Sequence, residues 1–95
     1  MTGSSNIAAE KRTALPGRLD LAAAVALRSD FVDHAGDLIL DASDVSLITT
    51  PALQLLMALR DRQAARGDEL RIASPSDEFL ACIRTLGVRL NRIQT

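Results

Sequence analysis

Leu38-Ile39-Leu40-Asp41-Ala42-Ser43-Asp44-Val45-Ser46-Leu47-Ile48-Thr49-Thr50-Pro51-Ala52-Leu53-Gln54-Leu55-Leu56 holds the decisive transition of this chain. Leu38-Ile39-Leu40 is a continuous apolar triplet, too short for a helix and of the kind found in a strand covered on both faces, which places it at the centre of a sheet. A short polar loop follows, and the chain then enters an apolar helix at Thr50. Pro51 supports that start, because proline at the first helical position forfeits no intrahelical hydrogen bond and brings a suitable φ. Thr50 is then expected as the N-cap. A hydroxyl at such a helix start caps free backbone amides and, if phosphorylated, sits where the helix end favours negative charge. The helix carries Leu53, Leu56, Met57 and Arg60 or Ala64 along one face, widened by Leu55 and Leu59, and is expected to be mostly buried.

Upstream, Lys11 to Leu15 reads as a short strand ending at the Pro16-Gly17 turn signal. Asp20 is the expected N-cap of a helix running through Leu21 to Phe31 and stopping near Ala35-Gly36. Its apolar stripe is expected from Leu21, Val25 or Ala24, and Phe31 with Leu27, while Arg28 and Asp30 face outward. Downstream, Gly67 ends the central helix and Leu70 to Ala73 reads as a strand. Ser76 then caps a third helix with Phe79, Ile83 and Leu86 on its core face, ended by Gly87. The tail, Val88 to Thr95, fits either a final edge strand or an irregular segment. Strand-helix-strand-helix-strand-helix order predicts parallel crossovers and an α/β sheet covered by helices.

The 95 residues, 47% of them hydrophobic, suffice for one continuous core, so we expect residues 1–8 as a flexible lead-in and 9–95 as a single domain. Eleven basic residues against twelve acidic leave a net charge of −1, which excludes a global pull toward nucleic acid. Lys11 is the only lysine and alanine is abundant, a composition that fits a GC-rich genome. No signal-peptide pattern and no run near the roughly 20 apolar residues of a membrane span is present, so a cytoplasmic location without membrane insertion is expected. One cysteine, Cys82, cannot close an internal disulfide and reads as a small buried thiol. His34 reads as a solvated loop residue. No cofactor loop, metal spacing or nucleophile–base pair appears, and Asp41, Asp44 and His34 form the only conceivable polar cluster, so no enzyme and no cofactor are expected.

Taken together, these pieces resemble the STAS domain family, which includes bacterial anti-sigma factor antagonists. The resemblance rests on Gly17-Arg18-Leu19-Asp20 before the first helix, on Asp41-Ala42-Ser43-Asp44-Val45 for the family's D-x-S-x-V, and on Ile48-Thr49-Thr50-Pro51-Ala52-Leu53 for its I-D-S-S-G-L. Gly67 to Ala73 and Phe79 to Gly87 extend it, over about Leu15 to Val88. It implies a central, mostly parallel or mixed sheet of four to five strands with three or more helices. In this chain Thr49 stands where the family has aspartate, Thr50 where it has the phosphorylated serine, Pro51 where it has a second serine and Ala52 where it has glycine.

The resemblance implies a non-enzymatic signalling module that binds a kinase or anti-sigma factor through the loop at Thr49-Thr50 and is switched by phosphorylation of Thr50, with Thr49 as the fallback acceptor. Phosphate would bring about −1.5 to −2 charge to the helix start, which the helix end tolerates and an acidic partner surface does not. Asp20, Asp44 and Ser46 are expected to border the same face. A second likeness, in Leu19-Asp20-Leu21, Ala26-Leu27-Arg28, Asp41-Ala42-Ser43 and Leu53 to Ala58, is to small stand-alone STAS proteins of chemotaxis operons. It implies an unphosphorylated adaptor of a chemotaxis histidine kinase. A small STAS subunit of a transporter ATPase is the remaining alternative. An exposed edge at either terminal strand would support a homodimer.

Overall fold

Short strands punctuated by capped helices build the chain in a computed structural model that describes residues 10–95; the expected lead-in over residues 1–8 lies outside them. In chain order the elements are β1 (Lys11–Ala14), β2 (Arg18–Leu19), α1 (Leu21–Phe31), β3 (Leu38–Asp41), β4 (Leu47–Ile48), α2 (Thr50–Ala65), β5 (Leu70–Ala73) and α3 (Asp77–Thr85), then a 3₁₀ turn at Leu90–Arg92. Among the described residues five strands are divided between a parallel sheet of order β1-β3-β5 and a parallel pair, β2-β4. The β3 triplet is central, as its unbroken apolar run predicts.

Register explains which sheet face is covered. Thr13, Leu40 and Ile72 share one row and Lys11, Leu38 and Leu70 another; Leu38, Leu40, Leu70 and Ile72 are buried with Leu27 and Phe31 of α1 and Leu53 and Leu56 of α2 in one core. Between those rows lies Arg12–Ile39–Arg71, whose side chains point to the opposite face. Both arginines there are exposed, while Ile39 is 9% exposed and lies outside the main cluster. The cover expected on both faces is therefore seen fully on one.

The helices turn slightly differently from expectation. On α1 the buried side chains are Ala24, Leu27 and Phe31, whereas Leu21 and Val25 are about half exposed. On α2 they are Ala52, Leu53, Leu56, Leu59 and Gln63, so the core stripe passes through Gln63 and not Arg60 or Ala64. Gln63 is fully buried because its Nε2 donates to the carbonyls of Gly36 at 2.8 Å and Glu69 at 3.2 Å, tying α2 to the loops that flank β3 and β5. Arg62 donates to the carbonyls of Phe31, at 3.1 Å, and Val32, closing the C-terminus of α1 from another helix. Gly67, at φ +77°, ends α2 in the left-handed conformation, with the Gly67 N–H donating to Ala64 O.

Ser76 caps α3 as expected, accepting from the Phe79 N–H at 3.0 Å while its hydroxyl donates to Val45 O. Phe79 and Ile83 are buried; Leu86 lies past the helix end and is 36% exposed. The tail forms no strand. Ile93 is fully buried, and the side chains of Gln94 and Thr95 accept from the Ile72 and Leu70 N–H groups at 3.0 Å each, while Thr95 N–H donates to Leu70 O. This occupies the outer edge of β5, so the expected strand edge for dimerisation is absent at the C-terminal end. No helix among the described residues is long and apolar enough to cross a membrane.

Candidate functional site

The candidate site lies where the β2-β4 pair delivers two helices side by side. Leu19 pairs with Ile48, and the Thr49 N–H donates to Leu19 O at 3.1 Å, so Asp20 and Thr49 leave their strands together. Each then caps the helix that follows it. Asp20 Oδ1 accepts from Ala23 N–H at 3.0 Å, as expected. The cap of α2, however, is Thr49 and not Thr50: Thr49 is extended (φ −87°, ψ 159°), its Oγ1 accepts from Ala52 N–H at 3.4 Å, and its carbonyl accepts from Leu53 N–H at 2.9 Å.

That shift by one residue moves Thr50 to the first helical position and Pro51 to the second. Proline tolerates the second position for the reason that favours the first, since the amide it lacks would have no intrahelical acceptor. The consequence falls on the hydroxyls. Thr49 is half-buried with its oxygen occupied by the cap, whereas Thr50 is exposed and its hydroxyl makes no hydrogen bond among the described residues. Ala52, where the family pattern has glycine, is fully buried.

The Asp20 carboxyl is held below the ordinary carboxylate value of 3.8, chiefly by the Ala23 N–H and then by Arg18, whose Nε lies 3.4 Å away. A charged acid thus stands beside the start of α2. Asp44 and Ser46, expected on the same face, lie at the other end of the short pair. Ser46 N–H and hydroxyl both donate to Gly17 O, at 2.8 and 3.0 Å, about 10 Å along the strand from Thr49. The backbones run close here: a Cβ at Gly17 would come 3.3 Å from Asp44 O, so a side chain there would press the loop by a few tenths of an ångström. The five candidate residues therefore border one ribbon, with Asp20, Thr49 and Thr50 at its helix end and Asp44 and Ser46 at its loop end.

Asp41, Asp44 and His34 are not brought together. Asp41 ends β3, where the Ser43 N–H bonds its carboxylate at 2.9 Å and holds its pKa low; His34 precedes the opposite end of the strand, its Nε2 3.2 Å from Asp37 O. Cys82 is half-buried rather than buried, on an open groove between β4 and α3 with Leu47, Ile48, Ala81 and Leu86. This groove runs along β4 from Ser46 to Ile48, and no sequence pattern announces it. Its signal in the sequence is faint: Leu47 and Leu86, 37% and 36% exposed, are ordinary core residues by type.

A family model described as "Mlab, STAS domain" matches residues 7–91, nearly the whole chain. Neither the curated proteins nor the solved structures contain a match.

Proposed function

Because the chain belongs to the STAS domain family, we propose that it is a non-enzymatic cytoplasmic signalling module that binds a protein partner, a kinase or an anti-sigma factor, through the Thr49-Thr50 turn and is switched by phosphorylation of Thr50. The observation that carries this reading is the division of labour between the two threonines. Thr49 caps α2, so the exposed Thr50 hydroxyl has no structural task. A phosphate there would sit at the favoured end of a 16-residue helix without disturbing the cap. Binding would change while the fold stayed intact. Asp20 on one side and the Leu47–Leu86 groove on the other supply the charge and apolar contact that a partner surface would use.

A second reading, a module docked permanently and without phosphorylation, is favoured by Thr49 and Ala52 standing where the family pattern has its acid and glycine. An adaptor of a chemotaxis histidine kinase and a small subunit of a transporter ATPase are its two forms. One experiment separates the readings: purification of the tagged chain from its native cell, identification of the bound protein, and intact mass of the chain itself. A kinase or anti-sigma factor with a phosphate mapped to Thr50 supports the switch; a histidine kinase or transporter ATPase on an unmodified chain supports the docked form. Absence of any protein partner on the tagged chain, modified or not, would sink both.

A further inference from the structure

We propose that the exposed flank of α1 is a self-association surface, joining two copies of this chain as an antiparallel two-fold pair. Leu21, Val25 and Val32 are 50%, 48% and 47% exposed, and with Arg28 they follow one line at helical spacing, about a third of a turn from the buried Ala24, Leu27 and Phe31. Leu21 departs from the stripe that α1 is expected to bury, and of the pair Val25 or Ala24 it is Ala24 that the fold buries. The line continues into a shallow groove toward α2, lined by Arg28, Val32, Leu55, Ala58, Leu59 and Arg62.

Charge identifies the occupant. The Asp20 carboxylate stands at the N-terminal end of the flank, and Arg62, bonded to the Phe31 and Val32 carbonyls, stands at the C-terminal end. Ala26 lies midway, six residues from Asp20 and six from Val32, or about 9 Å in each direction. A second copy reversed about an axis near Ala26 brings its Asp20 level with Arg62 and its Leu21 level with the Val32 groove. The same two contacts recur on the other side of the axis, as an isologous interface requires. Val25 lies beside the axis, where it meets its symmetry mate. A different protein would have to supply both an acid and a base at this spacing around an apolar ridge; a second copy supplies them by symmetry.

Sedimentation of the full chain over a wide concentration range, up to millimolar, tests this. The expected result is a reversible monomer–dimer equilibrium, weakened at least about tenfold by Val25→Arg. Val25 is on the surface, and an unchanged thermal midpoint of V25R shows that the fold is intact. In a Cys82→Ser background, Val25→Cys is expected to form a disulfide-linked dimer on oxidation, and Asp30→Cys, on the far side of the helix, is not. A chain that stays monomeric throughout, a dimer indifferent to V25R, or equal cross-linking of V25C and D30C overturns the proposal.

Discussion

Thr49 Oγ1 lies 3.4 Å from the Ala52 N–H and closes the helix that Thr50 begins. One of two adjacent, chemically equivalent hydroxyls is thereby committed to stability and the other left at the surface.

Stability should follow that division. Thr49→Ala is expected to cost about 0.5–1 kcal/mol in urea denaturation, the lower part of the range for a lost cap because the bond is long. Thr50→Ala should fall within about 0.5 kcal/mol of the wild type, as a surface substitution with no partner lost. The reverse ranking would return the cap to Thr50.

Gln63 is the polar group whose replacement should cost most. Gln63→Ala strands the Gly36 carbonyl, takes from Glu69 O one of its two donors while the Leu38 N–H remains, and opens a cavity in the core, with an expected loss of about 1–3 kcal/mol in the same denaturation measurement. A loss below about 0.5 kcal/mol would mean that the two loops hold their conformation without α2.

Acid should destabilise the fold in a definite window. The carboxyls of Asp20, Asp41 and Asp61 are held below 3.8 by the Ala23 N–H, the Ser43 N–H and Arg92 respectively. The unfolded chain therefore takes up protons before the native one does, so this stabilisation is complete above the ordinary carboxylate value and lost as pH falls through the lower native values. The urea midpoint is expected to stay level from neutral to about pH 5 and to drop below about pH 4. Asp20→Asn, which keeps a capping oxygen but carries no charge, should shallow that drop.

These expectations rest on features that differ in how openly the sequence displays them. The β3 triplet, the Asp20 and Ser76 caps and the glycine at 67 declare themselves because each acts locally, through apolar continuity, a side-chain oxygen before a helix, or a left-handed turn. The β2-β4 pair does not, since two-residue strands are held by their partner across the register and not by their own pattern. Gln63 is concealed because its residue type argues for solvent, although its spacing from Leu56 and Leu59 argues for the core. Between Val25 and Ala24 the residue type argues for burying valine, but it is Ala24 that faces the core. The helix start was displaced by one residue because proline suits the first and second helical positions alike, and a threonine precedes it at both of the candidate cap positions. In the tail, Gln94 and Thr95 substitute side-chain oxygens for the carbonyls of a strand, which no periodicity records.

A switch at Thr50 is read out by the affinity of the identified partner for Thr50→Glu, measured by calorimetry beside Thr50→Ala and the wild type. Glutamate at the first turn of a helix suits the dipole, so the fold is retained and the charge alone is examined. T50E is expected to bind at least about tenfold more weakly while T50A binds comparably to the wild type; equal affinity of all three would rule out a switch at Thr50.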